Sequence, residues 1–155
     1  MSEGVYPAFR WFEDFAVGQG FRFGAWTMDR DEMLAFAERY DPEPFHIDEA
    51  EAMRLGWGGL IASGPLLAAI WRRLSKDAFP HVETVISPGW DELRWLKPVF
   101  AGDVLSSRSE VVETRPLQSR PGEGLVRLAN DIVTQADAVV MQNVTSWFVR
   151  CRPVA

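Results

Sequence analysis

The sequence is poor in the residues from which many sites are built. It holds one cysteine, Cys151, and two histidines, His46 and His81. A single thiol cannot close an internal disulfide, which fits a reducing cytoplasm. Cys151 has no partnering base in sequence, so a catalytic thiol is not expected. His81 follows Pro80 in a loop-like stretch with no ligand cluster around it, and no metal site is expected. Positive charge is also scarce, with 16 Lys and Arg against 22 Asp and Glu, a net charge of −6. Such a chain repels phosphate backbones, which argues against nucleic acid as a partner. No run of about 20 apolar residues occurs, so no membrane span is expected. The opening MSEGVYPAFRWFEDF has neither a basic lead-in nor a signal-peptide apolar core. A cytoplasmic protein is the expectation.

What is present is a globular composition. Of 155 residues, 47% are hydrophobic and seven are tryptophan. That length suits one domain, residues 1–155, and buries roughly 70% of the unfolded surface. Helical texture fills residues 28–75 and strand texture residues 82–150, a segregation that predicts α+β. In TMDRDEMLAFAERY, Thr27 is the expected N-cap, and Met33, Leu34, Ala37 and Tyr40 recur at helical spacing. Pro42 should stop that helix at Asp41. Asp48 with Glu51 marks a short second helix ending near Gly56. Ser63 or Gly64 then caps a third helix with Pro65 in its first turn. Leu66 to Trp71 are all apolar, the mark of a buried helix. Strand-like runs follow at about 82–87, 91–98, 103–115, 124–135 and 138–150, separated by SPG, AGD, RPGEG and ADA. Short links favour antiparallel pairing. The expected picture is an antiparallel sheet curved around one buried helix.

The stretch YDPEPFHID places Asp41 and His46 five positions apart, with Pro42 and Pro44 between them. Two X-Pro steps make an extended, stiff loop that can aim both side chains at one point. A carboxylate and an imidazole sharing one water form an acid–base pair near neutral pH. The same residues also suit an Asx turn with a capping role. Downstream, Gly58, Gly59 and Gly64 lead into the buried helix. Glycines there expose backbone N–H groups at a positive dipole end, suited to an oxyanion, or simply allow close packing. No Lys-Ser/Thr follows, so this is not a Walker phosphate loop.

Together, YDPEPFHID, GGLIASG and PGWDELRWLKPVFAGDVL resemble the MaoC-like dehydratases, the (R)-specific enoyl-CoA hydratases of the hot-dog fold. The similar segments run from about residue 12 to 150, and the late WFVRCRP also fits. The resemblance implies a long central helix wrapped by a curved antiparallel sheet, assembled as a homodimer or higher homo-oligomer. It implies reversible syn hydration of a trans-2-enoyl-CoA or acyl-carrier thioester, with CoA as part of the substrate and no separate cofactor. Asp41 and His46 fall on the family's catalytic pair, and Gly64 on its oxyanion-donating amide. Ser63 is a candidate substrate contact or a helix cap. Arg72, Arg73, Lys76, Arg94 and Lys97 are candidate phosphate contacts or plain surface charges. Trp57, Trp71, Trp90, Trp95 and Trp147 line an acyl pocket or fill the core. The chain departs from the family at Glu43, commonly Asn, at Phe45, often Leu or Ile, at Ser63, often His, and at Ala69, often Ser. A hot-dog thioesterase and a non-catalytic acyl-CoA-binding module are the competing readings.

Overall fold

The computed structural model describes residues 4–155. Five strands form one antiparallel sheet: β1 Gly20–Thr27, β2 Thr84–Trp95, β3 Val104–Pro116, β4 Glu123–Val133 and β5 Val139–Arg150. Their order is β1-β3-β4-β5-β2. Strands β3, β4 and β5 are consecutive and joined by short turns. The two edge strands flank them from opposite sides. Chain leaving β1 must therefore cross the sheet to reach β2, and the four α-helices among the described residues lie in that crossing: α1 Arg30–Tyr40, α2 Pro44–Ile47, α3 Glu49–Arg54 and α4 Gly64–Ala78.

Helix α4 packs on the sheet through Leu66, Leu67, Ile70, Trp71, Leu74 and Ala78. These recur every three or four residues, an apolar stripe. They join Phe21 and Phe23 of β1, Leu105 and Val111 of β3, Val126, Leu128 and Ile132 of β4, and Met141, Trp147 and Val149 of β5 in one core. Period-two burial along β3, β4 and β5 delivers those residues to a single face. Gly24 lies in an irregular step of β1 with φ +86°, and a Cβ there would sit 2.7 Å from Leu74 Cδ1. Its missing side chain lets α4 approach β1.

Several local expectations change. Strand β1 was not anticipated, because Gly24 and the irregular step interrupt its alternation. Thr27 is the last residue of β1; Asp29 caps α1 instead, its carboxylate accepting from Glu32 N–H at 2.9 Å. The runs at 82–87 and 91–98 are one strand, β2. The SPG between them lies within it, at a shift in register with β5. Pro88 is tolerated because β2 is an edge strand. The stretch expected as extended loop contains the helical turn α2, with Pro44 at its first position. Pro44 fixes its own φ for helix, while Glu43 before it stays extended (φ −66°, ψ 139°). Helix α4 is not enclosed on all sides, since Pro65, Ala69, Arg72, Arg73, Lys76 and Asp77 are exposed. The stop of α1 at Asp41 and the Asp48 cap of α3 are as expected. No helix among the described residues is long and apolar enough to cross a membrane.

Candidate active site

Asp41 closes α1. Its N–H bonds to Ala37 O at 2.9 Å, and Pro42 forbids another turn. His46 lies in α2 and is 8% exposed. Its Nδ1 is 2.8 Å from the carbonyl oxygen of Ile61. A carbonyl can only accept, so Nδ1 carries the proton and donates. That fixes the ring and turns Nε2 toward Asp41, 3.5 Å from its Oδ2. The distance is long for a direct hydrogen bond and leaves the two groups free to share a third partner.

The segment Ile61 to Gly64 runs beside both residues. Ala62 N–H bonds to Val99 O at 2.9 Å, and Ile61 bridges to Phe100. The hydroxyl of Ser63 donates to Asp41 Oδ2 at 2.7 Å. Ser63 occupies the N-cap position of α4, but its side chain does not cap that helix. Its carbonyl accepts from Leu66 and Leu67 N–H. Gly64 follows with a first-turn N–H that has no acceptor within its own helix. Trp95 lies against it, donating from Nε1 to Gly64 O at 2.9 Å. A Cβ on Gly64 would lie 2.5–2.8 Å from the indole ring.

These groups share a cleft of about 420 Å³. Its polar lining includes Asp41, Glu43, His46, Gly64 and Lys97, and its apolar walls include Phe45, Trp57, Leu67, Trp95 and Val99. The Phe45 ring packs edge-on to His46, with centroids 4.5 Å apart. Titratable groups at a helix start, walled by apolar side chains, suit proton transfer on a bound carbonyl compound. A larger groove of about 630 Å³ crosses β1, β3 and β4. Its Arg108 is already held by Asp131 and Asp137, and it contains no histidine.

Residues 14–145 match the MaoC-like domain. The protein belongs to the MaoC-like family. A MaoC-like dehydratase from Rhodospirillum rubrum is 35% identical, with a TM-score of 0.86 over 93% of this chain and 99% of that one. The (R)-hydratase from A. caviae, described as involved in PHA biosynthesis, is 28% identical, with a TM-score of 0.70 over 90% and 99% of the two chains. The uncharacterized protein YdeM of Bacillus subtilis is 27% identical over 71% of this chain and 79% of its own. The fold is therefore the hot-dog fold of the MaoC-like proteins, with α4 as its central helix.

In this MaoC-like chain Asp41, His46 and Gly64 come together as the sequence suggested. Ser63, a candidate substrate contact or helix cap, is 0% exposed; its side chain makes no cap bond and donates to Asp41. Of the tryptophans, Trp57 and Trp95 line the cleft at 42% and 48% exposure. Trp71 and Trp147 are core residues, and Trp90 packs edge-on to Trp71. Of the basic candidates, only Lys97 lines the cleft. Arg73 pairs with Asp77 at 2.8 Å, and Lys76 donates to Pro80 O. Glu43 and Phe45 both line the cleft, whereas Ala69 lies on the exposed side of α4. His81 is exposed beyond α4. The Ile61 carbonyl has no counterpart among the sequence candidates, because a backbone acceptor leaves no mark in sequence.

Proposed function

We propose that this MaoC-like protein reversibly hydrates a trans-2-enoyl thioester, carried on CoA or an acyl-carrier pantetheine, to a 3-hydroxyacyl thioester. The observation that carries the reading is the convergence of the Asp41 carboxylate, His46 Nε2 and the Gly64 amide on one cleft. The thioester oxygen lies at the Gly64 N–H, which draws electrons from the double bond and makes C3 electrophilic. A water held by Asp41 and His46 attacks C3 and gives them its proton. The pair returns a proton to C2 on the same face. Negative charge grows on the thioester oxygen as C3 is attacked, and one aligned donor there is worth about 3 kcal/mol. The apolar walls take the acyl chain, and Lys97 at the rim meets the carrier's phosphate. A cytoplasmic homodimer or higher homo-oligomer is part of the same proposal. Edge strand β2 has β5 as its sheet neighbour on one side, leaving the other for pairing.

The test is loss of enoyl-thioester absorbance with crotonyl-CoA and with branched and longer enoyl-CoAs. Hydration without thiol release is expected in the parent. Asp41→Asn and His46→Gln should each lower kcat about 10²–10⁴-fold. Free CoA appearing instead would identify a thioesterase. Tight acyl-CoA binding without turnover would identify a binding module.

A further inference from the structure

We infer that Ser63 is a positioning residue: its hydroxyl holds the Asp41 carboxylate in the orientation that faces His46 and the cleft. The inference rests on the hydration reading above and extends it to a residue outside the cleft wall. Ser63 is completely buried and is not among the residues that line the cleft. Its side chain stands at a helix N-cap, where serine ordinarily bonds to an amide of its own first turn. Here it makes no such bond and donates to Asp41 Oδ2, 22 residues upstream in the chain. A buried hydroxyl given to a carboxylate is a strong, directional contact.

Asp41 needs such a partner. It follows the last turn of α1, and Pro42 removes the next backbone donor. Among the described residues, Ser63 supplies the side-chain hydrogen bond to its carboxylate, and that bond engages Oδ2. His46 Nε2 stands 3.5 Å from the same oxygen. The Ser63 bond restrains the carboxylate through Oδ2, and Oδ1 carries no side-chain hydrogen bond among the described residues. The neighbouring positions do parallel work. Ile61 O fixes the His46 tautomer, and Gly64 presents its N–H. The four residues Ile61–Gly64 thus align acid, base and oxyanion donor on one rail, which Val99 and Phe100 hold in register. Near-attack geometry is sensitive to small displacements, and about 1 Å of misplacement can cost about 100-fold in rate.

Two measurements test this. The first is kinetic. Ser63→Ala is expected to lower kcat about 10- to 100-fold while KM changes by less than about 3-fold. Ser63→Thr, which keeps the hydroxyl, should retain kcat within about 3-fold of the parent by the same geometric argument. An unchanged kcat in Ser63→Ala overturns the inference, as does a KM that rises in step with the loss of kcat. A Ser63→Thr variant with parental melting temperature but the rate of Ser63→Ala also overturns it. If Ser63→Thr does not fold, the kcat-against-KM split in Ser63→Ala decides. The second measurement is independent of turnover. NMR should show a slowly exchanging Ser63 hydroxyl proton in the parent that shifts or vanishes in Asp41→Ala. A resonance unmoved by Asp41→Ala refutes the link. A parent that hydrates no enoyl-CoA rejects the hydration reading, and the hydroxyl resonance then decides alone whether Ser63 holds Asp41.

Discussion

At the residue scale, the cleft depends on one missing side chain. Gly64 has no positive φ to justify glycine; its reason is contact. Any Cβ there would press into the Trp95 indole, whose Nε1 is anchored to the same residue's carbonyl. Gly64→Ala must therefore push Trp95 away or rotate the first peptide of α4. Overpacking of this kind costs about 1–3 kcal/mol, and displacing an oxyanion donor costs about 10²–10³-fold in kcat. Gly64→Ala should show both effects, read by urea unfolding and by crotonyl-CoA hydration. Adding Trp95→Ala should recover stability, because it empties the clashing space. If Gly64→Ala alone matched the parent in rate, Gly64 would not be the donor. Three residues of this site are legible in sequence, Gly64 through the glycine-rich entry to α4. Asp41 and His46 stand in a short frame set by prolines, a pattern that local geometry alone can produce. Ser63 was legible only as a cap or substrate contact, because its true partner lies across the fold.

At the element scale, the helix boundaries test how far local rules reach. Asp29 and Thr27 are both N-cap residue types two positions apart, and local preference does not separate them. The sheet does: Thr27 pairs with Val104 at the end of β1, so only Asp29 can turn its carboxylate to the Glu32 amide. Asp29→Ala should destabilise the protein by about 1 kcal/mol. Thr27→Ala should stay within about 0.5 kcal/mol, since it is an exposed strand end. Equal losses in urea unfolding would contradict the assignment. The same contest explains the strands. Strand β1 hides its alternation behind Gly24, which serves α4 packing and not strand propensity. Ser-Pro-Gly reads as a break, yet β2 carries it at the sheet edge. There Pro88 needs no inward donor, and the Ser87 hydroxyl bonds to Ser146 O at 2.8 Å. Strands β3, β4 and β5 lie close to their sequence bounds because their turns are short and their partners adjacent.

At the scale of the whole molecule, one long crossing from β1 to β2 both lays α4 on the sheet and brings α1 and α2 to its start. The fold class followed from segregated textures. The placement of the cleft did not, since it depends on Val99 and Phe100 pinning a segment almost 40 residues earlier. The segment at residues 10–14 is joined to Arg152 in a similar way. Asp14 accepts from the N–H groups of Arg10 and Trp11 through Oδ2, and from Arg152 at 2.7 Å through Oδ1. Arg152 N–H also donates to Glu13 at 2.9 Å. Burial pushes the Asp14 carboxyl upward, but the two backbone donors and the Arg152 guanidinium outweigh it. The result is a carboxyl below its ordinary value of 3.8. A depressed folded value means the unfolded chain binds this proton more readily. Its stabilisation is therefore complete above the ordinary value and is lost as pH falls through the lower folded one. Asp14→Ala should cost about 1–2 kcal/mol at pH 7. Below the ordinary carboxylate range that gap should narrow, because the parent must then protonate a group the variant lacks. Urea unfolding of both proteins from pH 7 downward reads the difference directly. A gap that stayed constant across the acid range would mean that Asp14 ties its segment to Arg152 by packing and not by charge.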